Sequence, residues 1–191
     1  MGGFYVGRFE TTGISAIPEV KRAKTNLSNE NWFTMYINMK KITNNNSVST
    51  GIIWGCLFDE ILQWLVDTNT LTQVDVCIAT NWGNHTESEF EYDENKIKKA
   101  NECRWIPSGS SEHNNVNNIY DLSGNLWEAT MESVTTSYNI TERVYRGGAY
   151  DSISMTGNWQ TIDQRHRTSF IPWVSNTRWS GLTARAFMCI N

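Results

Sequence analysis

The residue types that most often carry chemistry are sparse here, and their spacing limits what they can do. Four cysteines, Cys56, Cys77, Cys103 and Cys189, and three histidines, His85, His113 and His166, are scattered over 191 residues. No two cysteines form a C-x-x-C pair, so the pattern is not that of a structural zinc site. Free, buried thiols are the expectation, and one or two disulfide bridges stay open. A Ser-His-Asp set can be drawn from any chain this rich in serine and carries no information. Two stretches are more specific. NNIYDLSGNLWEATM, residues 117–131, sets Asp121-Leu-Ser-Gly-Asn125 between Tyr120 and Trp127. Gly and Asn tolerate positive φ, and Asp and Ser bond their own backbone, so this is a tight turn with buried flanks. DSISMTGNWQTIDQRHRTSFIPWVSNTRWSG, residues 151–181, mixes Trp, Arg, Phe and His with Ser, Asn and Asp and shows no regular hydrophobic period. Trp and Arg are enriched at binding hot spots, and small polar residues adapt around them. A loop-built binding face is therefore expected. The competing reading makes Trp159, Trp173 and Trp179 ordinary core, which suits any one of them better than all three.

Those stretches need elements to hold them. Phe4–Thr11 is aromatic and alternating enough to be a strand. Ser28 reads as the N-cap of a helix running through Trp32, Met35, Tyr36 and Met39 and ending at the polar run 43–49. A second helix covers about Leu57–Val66, with Leu57, Ile61, Trp64 and Leu65 on one face. Beyond residue 70 only short strands are expected: Arg104–Ile106, Trp127–Thr130, Arg143–Tyr145 and Ala184–Ile190. Two early helices followed by loop-rich strands imply an α+β fold in one domain, residues 1–191. The net charge of −4 comes with no basic stripe, which argues against nucleic acid. No apolar run approaches the roughly 20 residues of a membrane span. The start, MGGFYVGRFETTG, lacks the regions of a signal peptide and reads as strand, as expected of a domain cut from a longer chain.

Six ordered fragments now carry a resemblance: FYVGRFETT, the second helix, ATNWGN at 79–84, IYDLSGNLWEAT at 119–130, RVYRGGAY at 143–150 and LTARAFMCI at 182–190. In this order they resemble the formylglycine-generating-enzyme (sulfatase-modifying factor) type of C-type lectin fold across almost the whole chain. The departures are Ala129 for a usual Trp, Ala149 for Ser, and Thr183-Ala184 for Gly-Phe. The implied architecture is two helices plus twisted antiparallel strands and long loops. Trp82 and Trp127 then read as core, and Gly147 and Gly148 as points where the backbone must bend.

The resemblance also implies sites. In the family the turn often holds calcium, which would give Asp121 and Glu128 as carboxylate ligands and Gly124 and Leu126 as carbonyl ligands. The alternative is that Asp121 caps the turn and Glu128 pairs with a neighbouring arginine, such as Arg143 or Arg146. Catalysis in the family needs a reactive cysteine pair between R-G-G and the last arginine, and 151–181 holds none, so neither copper nor an enzyme is expected. The iron-using relatives need a three-His site and a second domain, so iron is not expected either. The flanks of 151–181 are closer in style to diversity-generating-retroelement variable proteins and phage tropism determinants. That implies a variable contact set of Asp151, Ser152, Trp159, His166, Arg167, Phe170, Trp173, Asn176, Trp179 and Ser180, with Arg165 and Arg185 in the scaffold. The partner would be a protein or glycan on a target cell, and the location a virion or cell surface, without membrane insertion. A formylglycine-generating-like oxidase, or another enzyme of the fold, is the alternative. A calcium-dependent sugar lectin would want Glu-Pro-Asn or Gln-Pro-Asp, which none of the three prolines provides.

Overall fold

The computed structural model describes residues 3–43, 47–77, 79, 81–135, 141–151 and 178–190. In chain order these form β1 (Tyr5–Val6), β2 (Thr12–Ile14), β3 (Ile17–Glu19), α1 (Trp32–Met39), β4 (Val48–Ile52), α2 (Gly55–Asp67) and α3 (Gln73–Cys77). There follow β5 (Phe90–Tyr92), β6 (Lys96–Lys98), a 3-10 turn at Glu112–Asn114, β7 (Asn115–Val116) and β8 (Ile119–Tyr120). The last four are β9 (Trp127–Thr135), β10 (Thr141–Arg146), β11 (Leu182–Ala184) and β12 (Ala186–Ile190). The architecture is mixed α+β. Among the described residues no helix is long and apolar enough to cross a membrane.

Two three-stranded sheets organise the described residues, in the orders β1-β12-β4 and β10-β9-β11. The first is antiparallel, with Tyr5 opposite Met188 and Ala186 opposite Ile52. In the second, β10 runs antiparallel to β9, but β11 runs parallel to it, with Leu182 opposite Trp127. The sheets are therefore not antiparallel throughout. β11 reaches β9 across a long stretch of chain, and only a crossover allows parallel pairing.

α1 begins later than the sequence suggests. Asn31, not Ser28, is the N-cap, and its side chain accepts from Thr34 N at 2.9 Å. Asn29 sits at φ 59°, where a right-handed helix cannot continue. The helix buries Trp32, Met35, Asn38 and Met39 against Leu27, Ile52, Ala129, Tyr145, Leu182 and Ala184. α2 covers the expected Leu57–Val66 and a little more. Its buried face is Gly55, Phe58, Ile61 and Leu65, while Trp64 is 44% exposed. The helical phase runs through Phe58 instead of Trp64. That face packs on Ile53, Trp82, Val116, Ile119 and Leu122.

The expected strand at Arg104–Ile106 does not form, and a short helix, α3, stands beyond residue 70, where short strands are expected. The strand Phe4–Thr11 shrinks to Tyr5–Val6, and Ala184–Ile190 breaks at Arg185 into β11 and β12. No disulfide joins the four cysteines, and they are not buried: Cys56 and Cys103 are exposed and Cys77 and Cys189 half-buried.

Candidate functional site

The turn at 121–125 sits in the middle of a buried polar framework. Asp121 and Asn125 both take positive φ, 56° and 62°, and Gly124 between them takes 74°. A Cβ at Gly124 would run into the carbonyl of Asn84, so the turn can lie this close to the W-G-N segment only as glycine. Asn125 N in turn donates to Asn84 O at 2.9 Å.

Asp121 is buried, and every contact of its carboxylate is a donor from the protein. Ser108 Oγ and Gly109 N reach Oδ2 at 2.8 Å each, and Asn114 Nδ2 reaches Oδ1 at 2.7 Å. Glu128, also buried, takes Arg185 Nε at 3.0 Å on both oxygens. Arg185 also donates to Gly7 O and Tyr120 O, each at 2.8 Å. The two carboxylates proposed for calcium are thus each engaged by donors from the protein. Asp121 and Glu128 accept from separate donor sets. Among the described residues no group of three or more His, Cys, Asp or Glu is placed to hold an ion. The residues present do not fit the open oxygen set that a hard cation requires. Glu128 does pair with an arginine, but the arginine is Arg185. Arg146 binds Asp59 and Glu132 instead, and Arg143 lies over the Trp32 ring at 3.8 Å.

Sequence reasoning missed a further acid buried beside these two, Glu10. Asn26 Nδ2 and Asn125 Nδ2 both donate to its Oε2, the latter at 2.6 Å. Burial pushes the Glu10 carboxyl well above its usual range, and the charges of Asp121 and Glu128 push the same way, against the opposing pull of Arg185. Burial also raises Asp121 and Glu128, in spite of their hydrogen bonds. Three acids and one guanidinium thus share a buried interior. The one available signal was an acid set among Phe9, Thr11 and Thr12 at the end of an aromatic-rich stretch. Asn26, Asn84, Ser108 and Asn114, which complete the network, had no distinguishing signal in a chain so rich in Asn and Ser.

The framework holds both ends of the interval 151–181. Tyr150 N donates to Asn125 O at 3.0 Å, and Trp127 N donates to Gly181 O at 2.9 Å. The segment therefore leaves and rejoins the frame within two residues of the same turn. Asp151 and Ser180, the described members of the contact set at each end, are exposed. Trp179 differs from them. Its half-buried ring packs on the core beneath α1, and its carbonyl accepts from Asn29 N at 3.0 Å. A Cβ at Gly181 would stand 2.8 Å from the indole. Ser152, Trp159, Arg165, His166, Arg167, Phe170, Trp173 and Asn176 lie outside the described residues.

Of the expected core tryptophans, Trp82 is buried and Trp127 half-buried against the core. Gly147 and Gly148 take φ of 87° and 81°, as their sequence position implied. His85 Nε2 lies 2.9 Å from Ser123 Oγ, and His113 stacks on Phe90 at 4.8 Å with its pKa lowered by burial. Comparison of the chain with protein-family models, with curated proteins and with solved structures finds no match.

Proposed function

We propose that this is a non-catalytic receptor-binding or display protein. Its rigid scaffold, of the C-type lectin kind resembled by the sequence fragments, presents segment 151–181, diversified by a retroelement, to a protein or glycan on a target cell. The single observation that supports this reading is the double anchorage of the segment. Tyr150 is tied to Asn125 and Gly181 to Trp127, so replacing what lies between need not disturb the buried network underneath. Loops on a stiff frame are where binding residues concentrate. Within the set, Asp151, Ser152, Trp159, His166, Arg167, Phe170, Trp173, Asn176 and Ser180 are the contact residues, and Trp179 serves as a clamp at its edge. A virion or cell surface is the corresponding location.

Sequencing the DNA around the coding region tests the proposal. A nearby reverse transcriptase gene is expected, with an imperfect repeat of the region encoding 151–181 that differs at adenines. A repeat differing at random positions, or no repeat, would remove retroelement diversification. Oxidation of a cysteine-containing peptide by the protein supplied with Cu(I) would overturn the non-catalytic reading altogether.

A further inference from the structure

A second surface lies apart from segment 151–181. Ile14 and Ile17 flank the two-residue turn Ser15–Ala16 at the tip of the β2–β3 hairpin, and they are 62% and 67% exposed. On α1, Phe33 and Ile37 stand one helical turn apart and are 46% and 54% exposed. Asn38 Nδ2 donates to Ser15 Oγ at 2.6 Å, and Lys41 Nζ donates to Asn38 Oδ1 at 3.0 Å. The hairpin tip is thereby fixed against the C-terminal half of α1, beside Ile37 and Lys41. Singly exposed apolar residues are ordinary, but several on adjoining elements mark an interaction surface.

The charge around them points to the partner. Between residues 14 and 41 stand Lys21, Arg22, Lys24, Lys40 and Lys41 against only Glu19 and Glu30, a balance of +3 in a chain of net −4. Lys21 pairs with Glu19 and Arg22 with Glu112. Among the described residues, Lys24, Lys40 and Lys41 have no carboxylate partner. The bridge of Thr12 with Asn26, and Gly13 N donating to Thr25 O at 3.1 Å, draw Lys24 alongside the hairpin. A second copy of the chain would set these like charges against each other. An anionic bilayer satisfies both features. Aliphatic tips enter the boundary between headgroups and acyl chains, while lysines stay at headgroup level and are drawn to the negative surface.

We propose that the β2–β3 tip and the adjoining face of α1 dock peripherally on an anionic lipid surface. The inference goes beyond the receptor-binding reading and does not depend on it. Vesicle flotation tests it, using phosphatidylcholine alone and phosphatidylcholine with about a third phosphatidylserine. The protein is expected to float with the anionic vesicles only, and to be released as salt is raised. Ile14→Ser combined with Ile17→Ser is expected to weaken binding about ten-fold or more. Lys24→Glu combined with Lys40→Glu, both at exposed positions, should abolish the preference for phosphatidylserine, with melting temperatures unchanged in both variants. Failure to float with either vesicle, or equal flotation of the parent and the isoleucine variant, would overturn the proposal. Self-association lost on Ile14→Ser with Ile17→Ser, without lipid binding by the parent, would also overturn it and make the face an interface between copies.

Discussion

Single residues set the tolerances of the frame. Gly124 and Gly148 share a left-handed conformation but not a neighbourhood. A Cβ at Gly124 meets the Asn84 carbonyl, whereas at Gly148 it meets only the edge of His85 at 3.8 Å. Gly148→Ala is therefore expected to cost about 1–2 kcal/mol, the conformational term alone. Gly124→Ala should cost more than twice that, because backbone must move as well. Thermal denaturation of the two variants side by side checks the order. Trp179→Ala is expected to destabilise by about 2 kcal/mol, below the range for a fully buried ring, since the indole is half-covered. Trp159→Ala and Trp173→Ala should leave the melting temperature in place if they belong to the contact set. Gly147 and Gly148 were legible as bend points because positive φ has a residue-type signature. Glu10 was not. Its burial depends on Asn26, Asn125 and Leu126, which local sequence does not connect to it.

At the scale of elements, two arginines do comparable tasks in different surroundings. Arg146 ties β10 to α2 and β9 through Asp59 and Glu132, which remain 39% and 29% exposed at their side chains. Arg185 joins β1 and the 120–128 region through Glu128, and both side chains are wholly buried. Arg185→Met strands a buried carboxylate and should cost about 3–5 kcal/mol. Arg146→Met leaves its carboxylates reachable by water, so a loss of about 1–2 kcal/mol is expected. Chemical denaturation of both variants decides the order. α2 was legible because a 13-residue amphipathic run announces itself through periodicity, although its buried face takes in Phe58 and leaves Trp64 exposed. Segment 104–106 reads in sequence as a short strand. It is held instead by asparagine side chains, Asn84 Nδ2 to Arg104 O at 2.9 Å and Ile106 N to Asn125 Oδ1 at 2.9 Å. Side chains standing in for a neighbouring strand leave no periodic trace.

For the whole molecule, the shared interior of Glu10, Asp121, Glu128 and Arg185 ties stability to pH. Burial raises all three carboxyls above their unfolded values of about 4. Between the unfolded and the raised values the folded state therefore binds more protons than the unfolded chain. The stabilisation is complete below the unfolded range and is lost as pH climbs through the raised values. The melting temperature should be highest in mild acid and fall as the solution becomes alkaline, and Glu10→Gln should flatten that slope. A calorimetric series from about pH 5 to about pH 9 at constant ionic strength measures it; a Glu10→Gln profile parallel to the parent would show that Glu10 does not carry the effect.

The pairing of β1 with β12 also bears on how the protein is made. Tyr5 finds its partner only at Met188, and the guanidinium that reaches Gly7 O belongs to Arg185. A ribosome extruding this polypeptide releases Glu10 and Asp121 long before the group that opposes their charge. The nascent chain must wait, its early strands unpaired and open to aggregation, until synthesis has passed position 190.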